Sequence, residues 1–110
     1  MNILLACSSG MSTSLVAKKM EEAAKEKGIE CKIWAVSQDR AEEEMKDADV
    51  ILIGPQMRFL KKKLEVKANE LGVAIDVIKP LDYGRCDGMA ILNAAIALLE
   101  KQEIIKLKDL

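Results

Sequence analysis

A thiol meets a run of hydroxyls in CSSGMSTS, residues 7 to 14, directly behind the apolar stretch at residues 2–6. A strand-to-helix turn needs one capping side chain. This one offers Ser8, Ser9, Ser12, Thr13 and Ser14 beside Cys7. Small residues around Gly10 let successive backbone N–H groups point into one concavity, and a helix N-terminus adds about half a positive charge there. Such a cradle takes an anion, and a phosphoryl group is its natural guest. The same positive end favours a thiolate, and a thiolate at the rim of a phosphate cradle is placed to form a phosphocysteine. The plainer alternative is that Ser12 or Ser14 caps a helix and Cys7 is a small buried apolar residue.

Two phosphate motifs can be tested on this stretch, and both fail. The ATP-binding loop needs G-K-[ST], whereas Gly10 is followed by Met11-Ser12. The cysteine phosphatase pattern C-x5-R needs an arginine at the position held by Thr13. Without that arginine, transfer of a phosphoryl group to water should be poor, which suits a carrier better than a phosphatase. Met11, apolar inside a polar loop, is either a docking contact or an anchor for the loop.

The elements that must position these residues alternate between two apolar periods. Residues 2–6 have strand length and composition. Leu15, Val16, Met20, Ala23 and Ala24 then recur at helical spacing, and Gly28 closes that helix. Residues 30–36, which include Cys31, read as a second strand. Asp39 caps a short helix with Glu42 in a capping-box pair, turning Met45 and Ala48 inward. Residues 49–53 form a third strand, apolar almost throughout, as expected when both sheet faces are covered. Gly54-Pro55 ends it. Phe59, Leu60, Leu64, Ala68 and Leu71 make the next helical stripe, closed by Gly72, and residues 73–78 are a fourth strand that Pro80 stops. Asp87 caps a last helix with Ile91, Ala94, Ala95, Leu98 and Leu99 as its apolar face.

Strand and helix alternating four times with short connections mean parallel strands joined by right-handed crossovers. The expected fold is α/β, a three-layer sandwich around a four-stranded parallel sheet of order 2-1-3-4. Ligands bind such sheets beyond the carboxyl ends of the strands, where the order reverses. Here that point lies between strands one and three. Residues 7–14 meet Gly54-Pro55-Gln56 there, with the loop 81–85 arriving from strand four. Gln56, Tyr83 and Arg85 are therefore secondary site candidates, and Arg58 and Arg85 could reach a phosphate or an acidic partner.

Composition bounds the rest. The 110 residues are 50% apolar and 32% charged with a net charge of -1, which fits one globular domain and offers no broad basic face for nucleic acid. There is no histidine, and the three cysteines, Cys7, Cys31 and Cys86, show no C-x-x-C spacing. Neither a metal site nor a disulfide framework is expected. No secretory signal is read at the start. The longest apolar run, residues 89–99, is too short to insert in a membrane and contains Asn93. A reduced, cytoplasmic protein is expected.

Three segments together carry a family resemblance. CSSGMSTSL behind an N-terminal strand, ADVILIGPQ at 48–56 and LDYGRCDG at 81–88 resemble the IIB components of the bacterial phosphotransferase system, lactose/cellobiose/chitobiose family. The likeness spans roughly residues 2 to 100. It implies a domain over residues 1–103, with 104–110 as a C-terminal tail that extends the last helix or frays. It also implies that Cys7 takes a phosphoryl group from a phosphohistidine of the IIA component. Cys7 would then pass it to a β-linked disaccharide held in the membrane IIC component, with Ser8 to Ser14 as the phosphate loop. No cofactor or metal is implied, and a monomer is expected. Cys86 departs from the family pattern and reads as a small apolar filler. Two other readings remain at this point: a low-molecular-weight phosphatase or arsenate-reductase-like enzyme, and a regulatory module that signals by its phosphorylation state.

Overall fold

The computed structural model describes residues 1–7 and 10–108, with only the backbone described at 10–13 and 106. Strand β1 (Asn2–Cys7) is buried from Ile3 to Cys7 because it lies between two other strands. β2 (Lys32–Ser37) pairs on one side, β3 (Val50–Ile53) on the other, and β4 (Ala74–Val77) flanks β3. Every pair is parallel, in the order β2-β1-β3-β4. The start of β1 is latched to the entry of β3: the Asn2 amide donates to Asp49 Oδ2 at 2.7 Å, and the Asp49 amide donates to the Asn2 carbonyl at 2.8 Å.

Side chains alternate across a strand, and this divides the core into two layers. Ile3, Leu5, Ile33, Val50, Leu52 and Ala74 face α1 (Gly10–Lys27) and α5 (Gly88–Lys108). Leu4, Ala6, Ile51 and Ile53 face α2 (Gln38–Glu44) and α3 (Lys61–Leu71). The three-layer α/β sandwich and its strand order are thus as expected from the alternating pattern. Short 3-10 turns at Met45–Asp47 and Pro55–Leu60 and a short helix α4 (Pro80–Gly84) complete the chain.

Several local expectations need correction. β2 begins at Lys32, so Cys31 lies ahead of the strand. The N-cap of α2 is Ser37, and Asp39 sits inside the first turn; the Ser37 hydroxyl donates to the Asp39 carboxylate, and no side chain caps the helix. The stripe Phe59–Leu71 is broken because Pro55–Leu60 winds as a 3-10 helix with non-helical angles at Met57. That change of phase buries Met57 and turns Phe59 outward, while Leu64 and Ala68 keep their core positions. Leu15, Leu71 and Ala94 also lie on exposed faces, and Leu92 is buried in place of Ala94. Residues 81–85 are not an open loop: Pro80 occupies the first turn of α4, which its fixed φ favours, and Arg85 is that helix's C-cap. α5 runs on through Lys108, so residues 104–108 are helical.

The turn between α4 and α5 is tightly made. Cys86 adopts a positive φ of 50°, and the Asp87 amide reaches back to the Asp82 carbonyl at 2.9 Å, the long bond of a Schellman closure. Asp87 at once caps α5 by accepting from the Ala90 amide at 3.1 Å, as the sequence predicted. Gly88 then lies flat on α1. A Cβ there would stand 2.3 Å from the Lys19 carbonyl carbon and 2.7 Å from the Met20 nitrogen.

Candidate functional site

Cys7 is the last residue of the central strand, 1% exposed. Its parity with Ile3 and Leu5 points it to the α1/α5 face. Sγ donates to the Val36 carbonyl on β2 at 3.7 Å, which fixes where the thiol rests. α1 opens three residues later at Gly10, and its first turn carries no acidic residue to oppose the positive end of the helix. Ser8 and Ser9 lie outside the described residues. Gly10 to Ser14 belong to the opening turns of α1; Ser14 is exposed, and the side chains of Met11, Ser12 and Thr13 lie outside the described residues.

The register carries the site across the sheet. Cys7 pairs with Ser37 on β2, so Ser37 stands beside it on the same face. On the other side, the Gly54 amide donates to the Ala6 carbonyl at 3.0 Å, which puts Gly54 next to Cys7. Gly54 shares the parity of Val50 and Leu52. The space its missing side chain leaves is filled by Gln56, whose Oε1 would lie 3.1 Å from an added Cβ. The Gln56 carboxamide thus folds back over the end of β3 on the Cys7 face. Its Nε2 donates to the Tyr83 hydroxyl at 3.4 Å, and the Tyr83 ring packs against the α1/α5 layer. The sequence candidates Gln56 and Tyr83 are thereby brought together in one row with Ser37 and Cys7. Arg85 is exposed behind α4, and Arg58 is exposed on the turn after β3. Among the described residues neither takes part in an ion pair.

Sequence reasoning missed three contributors: the Val36 carbonyl, Ser37, and the room at Gly54. Ending the second strand one residue later would have found the first two, since a parallel register then pairs position 37 with 7.

The Ser37 hydroxyl, and next the backbone amide of Asp39, hold the Asp39 carboxyl below the usual carboxylate range. Cys31, at the far end of the sheet beside the N-terminus, is pushed up by burial against the opposing pull of the terminal ammonium. Among the described residues no three Cys, Asp or Glu side chains converge. No helix among them is long and apolar enough to cross a membrane. What the row offers is a cysteine sulfur three residues ahead of α1, in line with a hydroxyl, a carboxamide and a phenol. These are groups that can hold phosphoryl oxygens while sulfur attacks phosphorus.

Comparison with known proteins gives concordant results. The family model for "PTS system, Lactose/Cellobiose specific IIB subunit" matches residues 2–94. Over 100 residues the chain is 50% identical to the oligo-β-mannoside-specific EIIB component of Bacillus subtilis (strain 168), covering 91% of this chain and 97% of that one. Identity is 42% to the galactose-specific EIIB component of Lactococcus lactis subsp. cremoris (strain MG1363), over 88% of this chain and 94% of that protein. The solution structure of the cellobiose-specific IIB component from Borrelia burgdorferi aligns with a TM-score of 0.76 at 40% identity, covering 93% of this chain and 94% of that one. The lactose-specific IIB domain from Streptococcus pneumoniae shares the fold, with a TM-score of 0.81 at 18% identity over 89% of this chain and 96% of that one.

Proposed function

Because the chain belongs to the lactose/cellobiose-specific IIB family of the phosphotransferase system, we propose that Cys7 is the residue on which it carries the phosphoryl group. Membership makes the protein a phosphotransferase with IIA and IIC components as donor and acceptor. The observation that carries the assignment to Cys7 is its position at the carboxyl end of the central strand, three residues before α1 begins. Cys31 lies at the opposite end of the sheet, and Cys86 is held in a turn.

In the first step the Cys7 thiolate attacks the phosphorus of an IIA phosphohistidine in line. The S–P bond forms as the P–N bond breaks, and the histidine nitrogen leaves with the electron pair. The thiol hydrogen bond to Val36 is given up, and the loop amides, Ser8 to Ser14 and the Gln56 carboxamide hold the phosphoryl oxygens, with Tyr83 bracing Gln56. In the second step a sugar hydroxyl in IIC attacks the same phosphorus and gives its proton to water; the S–P bond breaks and its electrons return to sulfur. Thr13 stands where the cysteine phosphatases carry arginine, so release to water is expected to be slow. The sugar is a β-linked disaccharide or short oligosaccharide, a class in keeping with the oligo-β-mannoside and cellobiose systems among its relatives. The protein works as a cytoplasmic monomer.

Incubation with phosphoenolpyruvate, the general phosphotransferase proteins and a β-glucoside-class IIA should add one phosphoryl group per chain. Peptide mapping should locate it on Cys7, and Cys7→Ala should take up none. A phosphoryl group found on another residue would overturn the assignment.

A further inference from the structure

Ser37 is the last residue of β2 and pairs in register with Cys7. Neighbouring strands lie about 4.8 Å apart and paired residues share a face, so the two side chains stand side by side. The thiol also leans to this side of β1, because Sγ donates to the Val36 carbonyl of β2 at 3.7 Å. A phosphoryl group on that sulfur carries its oxygens two bonds beyond Sγ, toward the hydroxyl.

A serine hydroxyl has a single proton to donate. In the unloaded protein that proton is given to the Asp39 carboxylate. The other charges facing Asp39 are Arg40 next to it, Glu42 on the same helix and Lys63 of α3 across a shallow cavity. None of them forms an ion pair with Asp39 among the described residues. The hydroxyl is the largest reason that this carboxyl titrates below its ordinary range.

We propose that the Ser37 hydroxyl changes partner as the carrier loads, turning its proton from Asp39 to an oxygen of the phosphoryl group on Cys7, and that Asp39, by competing for that proton, keeps the phosphocysteine easy to unload. The inference rests on the relay reading above. No covalent bond changes in the exchange; the hydroxyl rotates and keeps its proton. A phosphoryl group brings about two negative charges and therefore draws the donor away from a single carboxylate charge. Loading costs Asp39 its hydrogen bond and leaves a carboxylate near a dianion, and unloading restores the bond. The thiol hydrogen bond to Val36 works in the same direction, broken on loading and remade after delivery. A carrier between two partners needs such a balance, since too firm a hold on the phosphoryl group would stop delivery to the sugar.

The test is the equilibrium of phosphoryl groups between β-glucoside-class IIA and this protein, with IIC absent and the label on each chain counted. Ser37→Ala should move that equilibrium toward the donor about threefold. Asp39→Ala, at an exposed position that the fold does not depend on, should move it toward the carrier by about as much. In the Asp39→Ala background nothing competes for the hydroxyl. There Ser37→Ala should cost about tenfold, the effect of losing an unopposed hydrogen bond to a charged group. That inequality is the mark of one proton shared by two acceptors; an Asp39 that acted only through its charge would give equal effects in both backgrounds. NMR titration gives a second readout. Loading should raise the Asp39 pKa in the wild type by more than in Ser37→Ala, where only charge repulsion is left to raise it. Equal effects of Ser37→Ala in the two backgrounds, or a loading shift of Asp39 that does not depend on the hydroxyl, overturn the proposal. Wild-type protein that takes no label from saturating donor, or takes it on a residue other than Cys7, overturns the relay reading instead.

Discussion

Asp39 and Ser37 are the residues of the site edge whose pairing has a titration signature. The serine hydroxyl donates to the carboxylate and is the largest reason that Asp39 titrates below the ordinary carboxylate value. A carboxyl whose folded pKa is depressed adds stability above its unfolded value of about 4, and that stability fades as the pH falls through the folded value. Ser37→Ala should raise the Asp39 pKa toward the ordinary range, followed by side-chain NMR titration; an unchanged titration would show that the hydroxyl is not its cause. Because Asp39 is fully exposed, the effect belongs to its protonation and leaves neutral-pH stability nearly untouched. Cys7, Gln56 and Tyr83 were legible in the sequence because apolar runs ended by Gly, Pro or small polar residues mark strand ends, where parallel sheets bind ligands. Ser37 was not, because strand boundaries are the least defined feature of a pattern, and a single residue decides which side chain stands beside the thiol.

At the scale of elements, the crossing of α1 and α5 depends on one missing side chain. A Cβ on Gly88 would overlap the backbone at Lys19 and Met20, and backbone cannot turn aside as a flexible side chain can. Gly88→Ala should therefore destabilise the fold by about 1–3 kcal/mol, the usual cost of overpacking, seen as a lower denaturant midpoint with an unchanged slope. An unchanged midpoint would mean that α5 slides at no cost. The sequence marked Asp87 as a cap but offered no sign of this contact, since the neighbour, Lys19, lies far away along the chain. Nor did it show that Cys86 takes a left-handed conformation, because that place in a turn is normally left to glycine or asparagine. The strand order was legible because alternation of strand and helix with right-handed crossovers leaves few arrangements. The outward turn of Phe59 was not, because a 3-10 segment shifts phase without changing composition.

The molecule as a whole has two apolar layers that share one sheet, with β1 giving Leu4 and Ala6 to one and Ile3 and Leu5 to the other. Neither layer can be lost while the other keeps its sheet, so unfolding should be one cooperative transition. Trp34, the only tryptophan, packs on the α2/α3 layer, where its indole donates to Glu44 at 2.9 Å and Lys32 lies 4.8 Å from the ring centre. Its fluorescence should change in step with far-UV circular dichroism, in the wild type and also in Gly88→Ala, although that substitution strikes the opposite layer. A tryptophan signal that moved separately would mean that the layers are independent. The all-parallel sheet has a consequence for traffic. Parallel strands put all their carboxyl ends on one edge, so the relay has a single berth. A donor and an acceptor that must both reach this edge should take turns, each delivery waiting for one to leave before the other arrives. Flux through such a carrier should rise with donor concentration only to a point, and beyond it a crowded berth should slow delivery to the sugar.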